Sequence, residues 1–430
     1  MRKLQIKFLP LFILLSLISG LTYSQNSTLS PYSRFGIGDL TFRGFAYQRG
    51  MAGMSLGYTN PSTINVNNPA SYAYDSIMVM EIGANGEGLF SKQNDISTSG
   101  LNADLNALAM AFPIVKNKLG FSFGIIPFSS TGYNIISKSS IDTLSTKSDI
   151  NYIYKGTGGY TKYYIGAGIK ITNSLSVGVN ANYLFGNVIN QRKEEFTNNI
   201  FFNTNYQDEL SLSDFYFEYG LNWKHSLKND KSIAIGITGS PSQKITANRN
   251  ILWLNYKKAA TGFDVIKDTV FLSLDNQGEV MLPLSYGIGF CVSKSNKWNY
   301  GADVKIQNWS DYESFGVKDN LNNSFSLSAG GSYIPNSLLS SKYVSRIEYR
   351  FGAYYNKSYL NLNNNSDLND VGLCFGVGLP IKRSFQSKVN CSLQFGRRGT
   401  LSDNLVREQY IRLSIGLTFN EVWFIKKKYD

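Results

Sequence analysis

Few residues of this sequence could carry catalytic or metal chemistry. His225 is the only histidine among the 430 residues, so the chain has no histidine pair for catalysis and no histidine-rich metal site. The cysteines, Cys291, Cys374 and Cys391, are odd in number and far apart, and their spacing matches neither a disulfide framework nor a metal site. No Ser/His pair or carboxylate pair stands out. The sequence therefore predicts a protein that is not an enzyme and that needs no cofactor and no metal.

The charged residues follow a pattern instead. Apolar and polar residues alternate along many stretches, and in "YIRLSIGLTF" (410–419) Ile411 and Leu413 share one face while Arg412 and Ser414 share the other. A charge facing lipid at mid-membrane would cost ~2–4 kcal/mol, so a charged face belongs inside a barrel. The charges assigned to such an interior are Lys162, Asp214, Glu218, Asp303, Arg346, Glu348, Arg350 and Arg412.

The N-terminus has the features of a secretory signal peptide. Basic residues precede the apolar run "FLPLFILLSLI" (8–18), and small residues follow it, so residues 1–24 are predicted to be cleaved off. No later apolar run approaches the ~18 residues of a membrane helix. The chain contains 28 Tyr, 27 Phe and 39 Gly, and 17% of its residues are charged. This composition in an exported chain is typical of a transmembrane β-barrel.

The alternation defines the elements that position these charges. Long connections (such as 132–157 and 241–281) alternate with short turns such as "KNK" (116–118), which predicts two periplasmic chain ends. We therefore predict an all-β fold, a 14-stranded antiparallel transmembrane β-barrel over residues 76–420 with a periplasmic tail at 421–430. The loop 241–281 alternates too, which indicates an extra hairpin above the membrane. The predicted strands lie near 76–90, 104–115, 118–131, 158–172, 174–190, 209–226, 230–240, 282–293, 297–310, 322–333, 344–357, 369–380, 387–397 and 407–419.

Residues 25–75 precede the first strand and have no periodicity. They are rich in Gly, Asn and Ser and end in "INVNNPASYA" (64–73). A barrel of fourteen strands is wide enough to need filling, so this segment is predicted to enter from the periplasmic end as a plug, or hatch. Asn65, Asn67 and Asn68 are expected to donate hydrogen bonds to the inner wall, and Pro69 is expected to fix a turn.

The stretch "RGMAGMSLGYTNPSTINVNNPASYA" (49–73) resembles the N-terminal segment of the FadL family, outer-membrane transporters of long-chain fatty acids and other hydrophobic compounds. The stretch "SPYSRFGIGDL" (30–40) and the C-terminal end resemble the branch of this family found in Bacteroidota. The resemblance implies a fourteen-stranded barrel with an N-terminal hatch whose motif is Asn68, Pro69 and Ala70. It also implies capture of a ligand between outer loops, movement of the hatch, and lateral release where the third strand kinks inward.

Two features of this chain correspond to those transport steps. Apolar runs on the third and fourth outer loops either capture a hydrophobic ligand or pack the two loops together, and their residues are Phe201, Phe202, Leu252, Trp253 and Leu254. In the third strand, Pro127 removes a ladder hydrogen bond near Gly132. That proline indicates either a kink that opens the wall or a bulge near the outer rim.

Two functions follow from the resemblance. The first is passive uptake of a hydrophobic small molecule, fatty-acid-like or aromatic, with outer-membrane lipid and lipopolysaccharide as the surroundings and no nucleic acid as a partner. The alternative is a scaffold subunit of an outer-membrane protein assembly, in type IX secretion or barrel assembly, with a protein partner. Uptake predicts an apolar path from Phe201 and Trp253 to the hatch, whereas a scaffold predicts an apolar patch that faces outward. The basic "GRRG" (396–399) at the outer rim is either a solvated tip or a site for lipopolysaccharide or a ligand carboxylate.

Overall fold

The structure is a computed structural model that describes residues 28–41, 43–143, 146–259, 262–338, 340–362, 366–381, 386–402 and 405–422. The predicted signal peptide (1–24) and nearly all of the predicted tail (421–430) lie outside the described residues. None of the helices within the described ranges is long and apolar enough to cross a membrane.

The barrel has fourteen antiparallel strands, as predicted. These are β2–β8, β11, β12 and β15–β19, and pairing of β19 with β2 closes the wall. The strands are β1 (Asp39–Leu40), β2 (Met78–Gln93), β3 (Ile96–Val115), β4 (Leu119–Thr143), β5 (Thr146–Lys170), β6 (Leu175–Phe196), β7 (Asn203–Ser226), β8 (Lys231–Ser240), β9 (Gln243–Lys258), β10 (Asp264–Leu282), β11 (Ser285–Lys294), β12 (Trp298–Gln307), β13 (Glu313–Ser314), β14 (Val317–Lys318), β15 (Ser324–Tyr333), β16 (Glu348–Leu362), β17 (Ser366–Pro380), β18 (Lys388–Arg398) and β19 (Arg407–Glu421).

The outer surface of the wall is apolar and the inner surface is polar. On β19, Ile411, Leu413 and Ile415 are 43–48% exposed, whereas Ser414 and Thr418 are buried. This inversion of the pattern of a soluble protein is what a membrane-spanning barrel requires. The alternation therefore gave the correct fold class.

Several strands run further than predicted. The predicted loops 91–103 and 132–157 are largely strand, because β2 and β3 stay paired to Gln93 and Ile96, and β4 and β5 to Thr143 and Thr146. Since ~9–11 residues suffice to cross a membrane, these hairpins stand above it. We call this side of the barrel the loop end, and the side with the connection 116–118 the turn end.

The predicted extra hairpin is formed by β9 and β10. Strand β7 pairs with β8 over residues 219–226 but with β9 over residues 203–212. Strand β8 has ten residues, about the length of one membrane crossing. The β9–β10 hairpin therefore continues the sheet beyond the membrane at the loop end.

Residues 28–41 and 43–75 are mostly buried against the inner wall, and we call this segment the plug; it includes β1 and three short helices, Pro31–Arg34, Ala46–Arg49 and Pro69–Tyr74. Its first part lies at the loop end, where the Ser30 hydroxyl donates to Glu408 Oε1 (2.6 Å). Its last part reaches the turn end, where Asn117 N donates to Asp75 O (3.2 Å). The entry of this segment from the periplasmic end stays a prediction. The plug descends through the barrel, a direction that an aperiodic segment does not reveal.

Two apolar clusters anchor the plug, one at each level. The loop-side cluster joins Tyr32 and Ile37 of the plug to wall residues such as Leu184 and Leu212. The turn-side cluster is built mainly from the plug itself, including Phe45, Tyr47, Met51, Met54, Tyr58 and Tyr72, with Val79, Ala109 and Tyr164 from the wall. Burial of these side chains holds the plug at both ends.

Wall glycines let the plug approach the strands very closely. Gly120, Gly168, Gly178 and Gly220 lie side by side on β4, β5, β6 and β7. A Cβ at Gly120 would lie 1.9 Å from Tyr72 O, and one at Gly178 would lie 2.4 Å from the carbonyl carbon of Pro69. Similar contacts, all under 3.0 Å, occur at Gly236, Gly289, Gly330 and Gly352. We call these eight residues the glycine belt. Any side chain there would collide with plug atoms.

We predict that Gly178→Val displaces the Asn68–Ala70 turn, because its new side chain would overlap plug backbone. Overpacking of this kind costs about 1–3 kcal/mol. The plug should become sensitive to added protease, and the barrel should unfold at a lower temperature. Gly86→Val is the matched control, since a Cβ there meets nothing within 4 Å. Equal protease resistance of both variants would contradict the role of the belt.

Candidate functional site

The hatch motif joins the plug to the wall. Asn68 is fully buried, and its Nδ2 donates to Leu56 O in the plug (2.7 Å) and to Leu221 O on β7 (3.3 Å). Its Oδ1 accepts from Ala70 N (3.1 Å) and so caps the helix that begins at Pro69. Asn68, which the resemblance singled out, therefore connects a turn of the plug to strand β7.

The other two asparagines do not act as predicted. Asn65 Nδ2 donates to Ser55 O (2.6 Å) and Tyr58 O (3.1 Å), and Asn67 Nδ2 donates to Ser55 Oγ (3.0 Å). These bonds stay within the plug, because its chain folds back on itself at residues 55–67. They shape the plug but do not fasten it to the barrel.

Ion pairs between plug and wall are the second attachment. Arg398 donates two hydrogen bonds to the Asp39 carboxylate (2.9 and 2.8 Å), and Arg43 Nη2 lies 2.7 Å from Asp370 Oδ2. The "GRRG" interpretation as a solvated tip is therefore wrong for Arg398, whose side chain is 15% exposed and turned inward. On β12, Asp303 accepts hydrogen bonds from Ser55 N (2.6 Å) and Leu56 N (2.9 Å).

A cavity of about 440 Å³ lies between the plug and the wall. Its lining is strongly charged, and acidic and basic residues are equal in number. The acidic members are Asp39, Glu87, Asp104, Glu218, Asp303, Asp370 and Glu408, and the basic members are Arg43, Arg49, Lys162, Lys305, Lys357, Arg398 and Arg412. Lys162 pairs with Glu218 (3.1 Å), and Arg412 pairs with Glu87. Any molecule that enters the cavity would have to leave these charged groups hydrogen-bonded or hydrated.

Arg49 of the plug is a buried cation in this cavity. Its guanidinium donates to Gly44 O (3.1 Å), Thr41 O (3.2 Å) and Asn106 Oδ1 (3.1 Å), which are all neutral acceptors. Burial, and next the nearby Arg412, lower the pKa of Arg49 to about 9. It stays protonated at neutral pH and adds a hydrogen-bond link from the plug to β3.

The interior charges predicted from sequence divide into three groups. Lys162, Glu218, Asp303 and Arg412 line the cavity. Glu348 and Arg350 face inward but lie outside the cavity lining, where Arg350 Nη2 and Lys388 Nζ each lie 2.7 Å from Glu348 Oε2. The remaining two, Arg346 and Asp214, have other positions.

Arg346 and Asp214 are not among the described residues that line the cavity, and their role as lumen charges stays a prediction. Arg346 lies in the helix Tyr343–Arg346 at the turn end, before β16 begins, so the period-2 pattern does not apply to it. Asp214 lies where β7 changes partner from β8 to β9, and its Oδ2 accepts from Thr246 N (2.9 Å) and Oγ1 (2.7 Å). The Asp214 carboxylate therefore joins β7 to β9 at the point where β7 separates from β8.

The wall is discontinuous between β3 and β4. Their pairing runs from the turn end only to Leu108 and Ile125. Beyond that point, within the described ranges, β4 pairs with the plug strand β1 in place of β3, with Leu40 opposite Ser129 and Asp39 opposite Ser130. Thr41 N also donates to Phe128 O (3.2 Å). The plug therefore serves as a piece of the wall.

Pro127 and Gly132 lie at this break. A bulge interrupts the β4–β5 ladder between Pro127 and Ser129, and Pro127 lines the cavity. Gly132 N donates to Ser33 Oγ of the plug (3.0 Å). The role of these residues in lateral release stays a prediction.

The predicted capture residues lie apart from the cavity. Phe201 packs on Phe196 (ring centroids 5.1 Å apart), and Trp253 packs edge-on against Tyr206 (6.5 Å). Phe202 and Trp253 are 50% and 43% exposed, whereas Leu254 is buried and Leu252 is half-buried. No residue of this group lines the cavity within the described chain. The structure gathers them on the loop-end sheet that carries the β9–β10 hairpin.

Sequence reasoning missed the plug–wall ion pairs and the glycine belt. Asp370, Arg398 and Glu408 were visible as charges in or beside predicted strands, but their partners lie in the aperiodic plug. The belt had a signal, since Gly168, Gly178 and Gly220 stand on the inward-facing positions of their strands. No metal site is evident either, since the described residues contain no group of three or more His, Cys, Asp or Glu side chains placed to hold an ion.

Comparison with known proteins identifies related sequences and folds. The family model described as BamG matches residues 5–430. No curated protein matches the chain. Among solved structures, the toluene transporter TbuX of Ralstonia pickettii has 13% identity, covering 89% of this chain and 99% of its own, with a TM-score of 0.57. The P. putida toluene transporter TodX has 13% identity, covering 90% and 100%, with a TM-score of 0.55. A Pseudomonas aeruginosa FadL homologue has 11% identity, covering 87% and 98%, with a TM-score of 0.55. At these identities the likeness shows a shared FadL-like fold.

We predict that Arg398→Ala loosens the loop-end part of the plug, because it leaves the Asp39 carboxylate without its ion-pair partner. Removing one member of a buried pair costs about 3–5 kcal/mol. The measurement is maleimide labelling of a cysteine introduced by Leu40→Cys, which should become faster. Arg397→Ala on the same strand removes the same charge from an exposed position and should leave the labelling rate unchanged. Identical rates in both variants would show that the Arg398 pair does not hold β1 in place.

Proposed function

The chain belongs to the BamG family, and we propose that it is an outer-membrane scaffold, a plugged barrel that holds a protein partner at its loop end. The location follows from the apolar outer surface of the barrel, from its FadL-like fold and from the predicted signal peptide. The proposal is carried by one observation. The exposed apolar side chains Trp253, Phe271 and Leu272 stand on a protruding hairpin at the loop end, and within the described residues none of them lines the cavity.

The interior supports a fixed plug. Eight glycines bring plug and wall into contact, and Asp39, Arg43 and Asn68 bond across the same interface. Opening a continuous path would break these contacts together. The cavity is lined by seven carboxylates and seven cations, and several of them are paired across the interface between plug and wall. An apolar ligand there would remove water from charges without replacing it.

The loop end supports a bound partner. Trp253, Phe271 and Leu272 of the hairpin are 43%, 49% and 54% exposed, and they lie beyond the span of β8. Exposed apolar groups of this size outside a membrane mark interaction sites. A scaffold needs a rigid base, and the sheet formed by β5, β6, β7 and β9 supplies one.

The scaffold proposal predicts that the protein, extracted gently from its native membrane, carries another protein in stoichiometric amount. We expect the complex to survive when the plug is locked to the wall. The lock is a disulfide formed after Leu40→Cys and Ser129→Cys, at paired positions of β1 and β4. The measurement is the mass of the native complex with and without oxidation. Recovery of the barrel alone, under conditions that preserve other membrane complexes, would refute the proposal.

Uptake of a hydrophobic small molecule is the second candidate, and the break between β3 and β4 favours it. The cavity reaches Pro127 and Phe128 at this break, and only the plug residues around Asp39 and Leu40 replace the missing pairing. Release of β1 from β4 would connect the cavity with the membrane. Capture at Phe201 and Trp253, hatch movement and lateral release would then follow the scheme that the FadL resemblance implies.

The same disulfide separates the two candidates. If the barrel is a scaffold, cells that carry the oxidised Leu40→Cys/Ser129→Cys protein should take up a labelled fatty acid or toluene as fast as cells with the reduced protein. Uptake that stops on oxidation and returns on reduction would instead establish the lateral path. Phe201→Asp with Trp253→Asp tests the capture step separately, because neither residue contacts the plug.

A further inference from the structure

The hairpin ends in a strand with one unused edge. Along one side, β10 pairs with β9 from Asp264 to Leu282. Along its other side, within the described chain, its only ladder partner is β13, at Val280 and Met281. The backbone groups from Asp264 to about Gly278 therefore have no strand beside them on that side.

This strand is also exposed on both faces. Residues from Asp264 to Leu272 are all exposed, although the stretch contains several large apolar side chains. Ile266, Phe271, Leu272 and Leu274 are 61%, 49%, 54% and 63% exposed. The lipid-facing wall does not explain this, because the hairpin lies beyond the membrane span of β8. A two-sided apolar strand in water is unstable as an isolated edge unless something covers it.

An extended chain segment is the occupant that fits these features. A free edge offers a row of N–H and C=O groups, and a strand of another chain can satisfy them all by joining the sheet. Its side chains would alternate above and below the sheet, where Phe271 and Leu272 offer apolar contact on opposite faces. Hydrocarbon tails of lipid could cover the side chains, but they could not bond the backbone.

Charge indicates that this segment belongs to a different protein. Asp268 and Asp275 lie on either side of the apolar centre at Phe271 and Leu272, and neither forms an ion pair within the described residues. If two copies of β10 paired antiparallel about that centre, Asp268 of one copy would approach Asp275 of the other at each end of the pair. Like charges that approach each other across paired strands destabilise a sheet. A segment with apolar residues at its centre and Lys or Arg toward its ends would complement both carboxylates.

We infer that the free edge of β10 is the docking strand for an extended, apolar and basic segment of a partner protein. The inference rests on the proposed scaffold function and assigns the surface that performs it. It makes β10 the last intramolecular strand of a sheet that the partner continues.

The test compares single substitutions in the full-length protein expressed in its native membrane. Leu274→Lys removes apolar contact and adds a like charge against a basic segment, and Asp268→Lys reverses the complementary charge. The matched controls are Ile96→Lys, at a 70% exposed apolar position, and Asp95→Lys, both in the β2–β3 hairpin at the loop end. Folding of each variant is checked by resistance of the barrel to unfolding in detergent without heating.

Two measurements are made on the gently purified protein. The first is the amount of co-purified partner, which should fall at least roughly tenfold for the two β10 variants, a change of ~1.4 kcal/mol, and not for the controls. The second is amide hydrogen exchange over residues 264–278, which should be slow in the complex and fast in the stripped barrel. Benzoylphenylalanine at position 271 serves as the probe that identifies the contacting segment by cross-linking. That segment should be extended, with alternating apolar residues and basic ends.

Each other outcome overturns the inference in a recognisable way. If the partner is retained by both β10 variants and the amides exchange fast in the complex, the docking surface is wrong while the scaffold function stands. If wild-type protein carries no partner, the scaffold function fails with it. Cross-links between two copies of the chain would show that β10 docks a second copy of the same protein, not a segment of a different one. Amide protection that requires only lipopolysaccharide would assign the edge to lipid.

Discussion

The close contact between plug backbone and wall glycines is the constraint on which the rest of the structure depends. Gly120, Gly168, Gly178 and Gly220 form a row across four neighbouring strands, and the turn around Asn68 and Tyr72 rests directly on it. Without side chains on that row, the plug can come near enough for Asn68 to bond Leu221 O. A row of larger residues would hold the plug away and leave a channel beside it.

The charged cavity follows from the same arrangement. The turn-side cluster and the loop-side cluster fill the barrel at two levels, and a cavity with seven carboxylates and seven cations lies between plug and wall. Charges in such a space persist only when they are paired or hydrogen-bonded. Arg43 with Asp370, and Arg398 with Asp39, meet this condition by linking plug to wall, so the pairs that satisfy the interior also fix the plug.

The wall was predictable from sequence and the plug was not, for a physical reason. Ile411, Leu413 and Ile415 must face lipid, so apolar and polar residues alternate along the sequence of β19. Many stretches of the chain alternate in this way, and counting them gives the number of strands. The same rule selected Lys162 and Asp303, which line the cavity. It gives less guidance for Arg346, which lies in a helical turn before its strand, and for Asp214, where β7 exchanges one partner for another.

The plug has no comparable rule, since its residues contact one another and the wall in no fixed period. Asn65 and Asn67 show the difficulty, because the same residue type at adjacent positions bonds within the plug while Asn68 bonds the wall. The direction in which the plug runs through the barrel cannot be read from the sequence either, because it depends on long-range pairs such as Ser30 with Glu408, which are separated by 378 positions in the chain.

Unpaired strand edges explain two features of the structure at the loop end. Toward the loop end, regular pairing breaks where β4 leaves β3 and where β7 leaves β8. The first edge is satisfied from inside, because β1 of the plug takes the place of β3 beside β4. The second edge, on β7, is paired with β9. Strand β9 in turn pairs with β10, so the unpaired edge at this end of the sheet is that of β10. In the proposed scaffold, β1 covers part of the edge of β4, and the free edge of β10 offers its backbone groups to a second protein. Since an unpaired strand edge is a template for pairing with another chain, we propose that the branch at β7 makes the plugged barrel a platform for assembly.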